Sequence, residues 1–112
     1  MATPLNVFKT VTFTVTTSNS TVYTAPTGFT GIILMAQVAN VTGTDADVTF
    51  SHFDAGTSVE TELAKDFTIP ANDAGSVLTG KLVLETGNSI KAVASVGATL
   101  KITLSVLESL NA

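Results

Sequence analysis

The stretch VYTAPTGFTGIILMAQVANVTG, residues 22–43, decides how the chain is read. It opens on turn formers around Pro26 and Gly28, then runs from Ile32 to Asn40 with Gln37 as the one strongly polar side chain before the end. A membrane-crossing helix needs about 20 apolar residues, roughly twice the length of this run. A short apolar run bounded by turn residues instead reads as a central strand buried on both faces. Strict alternation places Ile33, Met35 and Gln37 on one side and Ile32, Leu34, Ala36 and Val38 on the other. One row belongs to a core. The other needs a cover, supplied either by a loop of the same chain or by a neighbouring subunit, because a bare apolar row is an interaction surface or an aggregation hazard.

The flanking sequence repeats the period of two. Val11, Phe13 and Val15 alternate with threonines; Leu63, Phe67 and Ile69 share a register with Lys65; Leu100, Ile102, Leu104 and Val106 alternate with Lys101, Thr103 and Ser105. Alternation of this kind marks strands with one face on a core and one in water, and β-branched threonine and valine favour the pleat over the helix. Turn chemistry separates the runs at TSNS, APTG, TGTDAD, DAGTS, PANDAG, TGN and SVGA. Strands are predicted at roughly 7–17, 20–25, 31–41, 47–53, 60–69, 77–85, 89–95 and 99–108. The fold class is all-β: a single antiparallel β-sandwich of about eight strands, jelly-roll or immunoglobulin-like, spanning 7–112 behind an N-terminal arm over 1–6.

Composition narrows the function classes. Charged residues make up 12% of the 112 positions, about half the usual share, so threonine, serine and asparagine must cover the surface. Such a surface repels neighbours weakly and suits packing against other proteins. Nine acids against five lysines, with no arginine, leave no basic stripe for nucleic acid. The absence of cysteine excludes disulfides and thiolate chemistry. The opening MATPLNVFKT lacks a basic start followed by an apolar run, so no signal peptide is expected.

Candidate chemistry is sparse. The single histidine, His52, alternates with Val48 and Phe50, and Asp54 follows two residues on, a spacing that could seat an acid–base pair. No nucleophile accompanies it, and a strand-end histidine beside a polar neighbour is the plainer reading. Asp45 and Asp47, with Asp54 and Asp73 in other loops, could share calcium, but the EF-hand spacing is absent and solvated turn acids are the plainer reading. Glu60, Glu62, Lys65 and Asp66 suit a charge-protected edge or an interface rim. Asn40-Val41-Thr42 matches a glycosylation acceptor only formally. The expectation is a protein that is not an enzyme and holds no cofactor or metal.

YTAPTGFTGIILMAQVANVTGTDADVTF (23–50), with KDFTIPANDAGSVLTGKLVLETGNSI (65–90) and LKITLSVLES (100–109), resembles small structural virion proteins of tailed bacteriophages, including those infecting marine and freshwater cyanobacteria. The resemblance rests on turns and strand registers and covers nearly the whole chain. It implies a β-sandwich virion component: a capsid decoration or cement protein, or a part of the neck, tail or baseplate. It implies no catalytic residues. The expected partners are further copies of the chain, as a homo-oligomer such as a trimer, and the major capsid protein or other virion proteins, with no nucleic acid and no membrane. The expected contact residues are the loop tips Phe29, Val59, Val77 and Leu78, since turns rarely expose apolar groups without use, the alternative being that they fold back and cap the sandwich; Phe8, with the N-terminal arm over 1–6, is expected to reach a neighbour as well. A carbohydrate-binding module is the rival class, though the chain offers no tryptophan and only Tyr23 and six phenylalanines as stacking platforms.

Overall fold

The computed structural model describes residues 6–97 and 99–111. Nine strands follow one another: β1 (Asn6–Val15), β2 (Ser20–Thr24), β3 (Phe29–Asn40), β4 (Ala46–Asp54), β5 (Val59–Ile69), β6 (Ala74–Ser76), β7 (Leu82–Leu84), β8 (Ser89–Ala94) and β9 (Leu100–Leu110). No helix occurs among the described residues. The arm expected over 1–6 lies outside them except for Asn6, which pairs with Ser109 as the first residue of β1.

The strands form two antiparallel sheets. The first has the order β1-β9-β3-β6, with β7 also pairing β3; the second has the order β2-β8-β4-β5. The chain thus passes from sheet to sheet after β1, β2, β3, β5, β7 and β8. With β6 and β7 counted as one interrupted strand, this is the eight-strand jelly roll, which settles the choice against an immunoglobulin-like order. The expected strand over 77–85 is the one that breaks. The Val77 N–H donates to the Ala36 carbonyl and the Ser76 hydroxyl to the Leu78 carbonyl, so the chain turns inward after Ser76 and rejoins β3 only at Leu82.

Alternation places the core. Val15 from β1, Val48 and Phe50 from β4, Ile90 from β8, and Leu100, Ile102 and Leu104 from β9 are fully buried between the sheets. Each such side chain contributes about 1.5–3 kcal/mol relative to exposure.

Two strands depart from strict alternation. β3 carries a bulge between Ile33 and Met35 opposite β9, so Ile33 faces inward together with Ala36 and Val38. Ile32, Met35 and Gln37 therefore share the outer side, which corrects the two rows read from sequence. An extra residue in one strand shifts every later side chain to the other face. β5 is irregular in two places against β4. Ala64 pairs with Phe50 and Phe67 with Val48, while Asp66 takes a positive φ of 49°. The expected common face of Leu63, Lys65, Phe67 and Ile69 is thereby broken up; only Ile69 is fully buried.

Candidate interaction face

The outer side of the first sheet is built by direct cross-strand register. Phe8 of β1 stands opposite Leu107 of β9, Leu107 opposite Ile32 of β3, and Ile32 opposite Val83 of β7. One apolar row thus crosses four strands. Its ends are open, with Phe8 75% and Val83 58% exposed, and its middle is half-buried. The next rungs are polar or small: Thr10, Ser105 and Met35, then Thr12, Thr103, Gln37 and Ser76. Two shallow depressions, of about 290 and 270 Å³, open along β1 and β9 beside Thr12 and Thr103 and beside Phe8 and Leu34.

Charge divides the two outer sides. Among the paired outward positions of β1, β9 and β3, Lys101 is the only charged residue and none is acidic. The outer side of the second sheet presents Asp47, Glu60 and Glu62 against Lys91. There the Glu60 carboxylate accepts both Asn19 amide hydrogen bonds, and the Lys91 ammonium sits 4.8 Å from the Phe53 ring centre. A face without acids can be covered by another protein without desolvating a carboxylate, and its single ammonium, Lys101, sits near the end of the strands, whereas the second face is one that water serves well.

Behind the apolar row lies a polar pin. Glu108 faces inward from β9 and is 4% exposed. The Tyr23 hydroxyl, from β2 in the other sheet, donates to its Oε2 at 2.6 Å, and the Lys9 ammonium lies 3.2 Å from its Oε1. Gly31, directly opposite Glu108, leaves the space that the Tyr23 ring fills. Burial first, and then the Glu108 hydrogen bond and charge, push the Tyr23 hydroxyl well above the usual phenol range. A buried carboxylate satisfied from both sides fixes how the sheets stack at this end.

The contact residues expected from sequence separate. Phe8 lies in the apolar row. Val59 is 53% exposed at the start of β5. Phe29 is half-buried where β3 begins, Val77 is buried in the core and Leu78 packs against it, so these last two cap the sandwich from within. Of the residues that complete the row, Ile32 is named by the sequence only as a member of one of two apolar rows, and Leu107 and Val83 are not named at all. Their signal was the register between strands, which one chain's alternation does not contain.

The candidate chemistry is placed differently. His52 continues the inward row of Val48 and Phe50 and stands opposite Ile90. Asp54 accepts the Gly56 N–H through its own Oδ1 at 2.9 Å, and no hydrogen bond joins it to His52. The carboxylates of Asp45, Asp47 and Asp73 accept from the Ala71 N–H, the Thr68 hydroxyl and the Ala74 N–H respectively. No three such ligands converge on a metal position among the described residues. Asn40 is 3% exposed and its amide donates to the carbonyls of Thr44 and Ile69, so its nitrogen is engaged inside the fold.

No family model matches the chain, and no curated protein matches it by sequence. Among solved structures, the fold is similar to a chain of the disulfide-linked pili of Bacillus endospore appendages, with a TM-score of 0.59, 10% identity, and 96% of this chain and 88% of the other covered. It is similar also to a chain of the acid-stable capsid of Helicobacter pylori bacteriophage KHP30, with a TM-score of 0.58, 11% identity, and coverage of 97% and 90%. At such identities the likeness is one of fold.

Proposed function

We propose that this protein is a non-enzymatic structural component of a phage virion. Its role in this reading is capsid decoration or cementing, in which it bridges capsid subunits through the outer side of the first sheet. The observation that carries the reading is the division of charge between the two outer sides, with the apolar row of Phe8, Leu107, Ile32 and Val83 on the side that bears no acid. A stable contact removes about 1,200–2,000 Å² in total, and repetition over many copies turns modest contacts into avidity. The jelly roll and its likeness to a chain of a phage capsid support a virion role. The pilus likeness supports it less, because a chain without cysteine cannot form the disulfides named for those fibres.

Gold-labelled antibody on particles from the source lysate, with mass spectrometry of the same purified particles, tests the proposal. Dense label over the head is expected. Label confined to the neck or tail would move the protein to a neck, tail or baseplate role. Absence of its peptides from the particles would overturn the virion reading.

A further inference from the structure

Every sandwich has edge strands, and an open edge is a template for another strand unless something blunts it. Most edges here are blunted. β5 has two register irregularities, a left-handed Asp66 and the charges of Glu60, Glu62, Lys65 and Asp66. β2 is five residues long with a register shift after Thr21. β6 and β7 are three residues each. β1 differs in length and regularity. It is ten residues long, contains no proline and pairs with β9 from Asn6 to Val15 without a single shift. Its one charge, Lys9, is already compensated by Glu108.

From this contrast we infer that β1 is an assembly edge, and that its occupant is the antiparallel β1 of a second copy of this chain, joining the two first sheets into one continuous sheet. Several features select a second copy. An antiparallel strand is its own complement in backbone donors and acceptors. Keeping threonines facing outward on both copies requires a register such as the one centred on Val11, which sets Thr10 against Thr12, Phe8 against Thr14 and Val7 against Val15. In that register Lys9 meets Phe13 rather than the other Lys9, so no like charges oppose. Threonine pairs and apolar pairs across strands each add a modest stabilisation.

The symmetry follows from the same contrast. One edge pairing with itself makes a closed two-fold contact, whereas a ring needs two different complementary edges, and the remaining edges are blunted. The edge therefore specifies pairs rather than the trimer expected from sequence. It also leaves the outer side of both copies free, so pairing and attachment to a larger particle use different surfaces.

Sedimentation velocity combined with residue-resolved amide hydrogen exchange tests the inference on the isolated protein, independently of any particle. A monomer–dimer equilibrium is expected. At low concentration every second amide of β1 should exchange rapidly, and at dimer-forming concentration those amides should slow by at least about tenfold. The double variant T10K/T12K, at two exposed positions, should stay monomeric with unchanged exchange in the core, while Q37K, in mid-face on β3, should still pair. A protein that remains monomeric at all concentrations with alternating fast amides in β1 would overturn the inference. So would a dimer whose β1 amides still alternate, or one abolished by Q37K and spared by T10K/T12K.

Discussion

Tyr23 donates its hydroxyl hydrogen to the buried Glu108 carboxylate at 2.6 Å, so a half-buried side chain of one sheet is tied to a strand of the other. Burial and Glu108 raise the phenol well above its ordinary value near 10. The sign follows directly. The stabilisation is fully present below about pH 10 and is lost as pH rises through the higher folded value. Tyr23 is the only tyrosine and there is no tryptophan, so absorbance at 295 nm reports this one group. Phenolate should emerge only at strongly alkaline pH, together with the loss of β-sheet circular dichroism. Tyr23→Phe should remove that alkaline dependence and cost about 1.5–3 kcal/mol at neutral pH, the range for a hydrogen bond to a charged group.

Gly31→Ala should act on the same pair from the opposite side. A Cβ at residue 31 would sit 3.2 Å from both Cε2 and the hydroxyl of Tyr23, and the ring has little room to yield while Glu108 holds it. Overpacking of this kind costs about 1–3 kcal/mol. The expected result is a lower urea midpoint and a Tyr23 titration displaced toward the ordinary phenol range.

Asn40→Ala should destabilise without touching any surface. The side chain bonds the Thr44 and Ile69 carbonyls and accepts from the N–H and hydroxyl of Thr42, thereby folding the loop that follows β3. Removing it leaves the Ile69 carbonyl short of a partner in the interior. A loss of about 1–3 kcal/mol is expected in equilibrium denaturation.

Phe8→Ser and Val83→Ser should behave in the opposite way. Both side chains are exposed, so stability should stay within about 0.5 kcal/mol of the parent. Attachment to particles lacking the protein should weaken at least tenfold for the pair of changes together, measured by co-sedimentation.

Much of the sandwich could be read from particular residues. Val11, Phe13 and Val15, and the run from Leu100 to Val106, face the core as their alternation requires. What escaped was set by pairing between strands. The bulge at Ile33–Met35 reverses the faces of β3, and the irregularities of β5 separate Leu63 from Ile69. No local residue pattern announces an extra residue in one strand of a pair. Phe8 stands out in the sequence only as a residue that could reach a neighbour together with the N-terminal arm; its companions Leu107, Ile32 and Val83 lie about 25 to 100 positions away in sequence and are neighbours only through register. Val77 and Leu78 look like an exposed loop tip because a strand was expected to begin there; the break between β6 and β7 turns them inward instead.

The most direct measurement is thiol accessibility on intact particles, which a chain without cysteine makes clean. Single substitutions Thr12→Cys, outward on β1, and Thr21→Cys, outward on β2, place one thiol on each outer side. Maleimide labelling of the free protein should reach both. On assembled particles, Thr12→Cys should be protected at least about tenfold and Thr21→Cys should label as in the free protein. Equal labelling of both, or protection of Thr21→Cys alone, would contradict the assignment of the first sheet's outer side as the face that meets the virion.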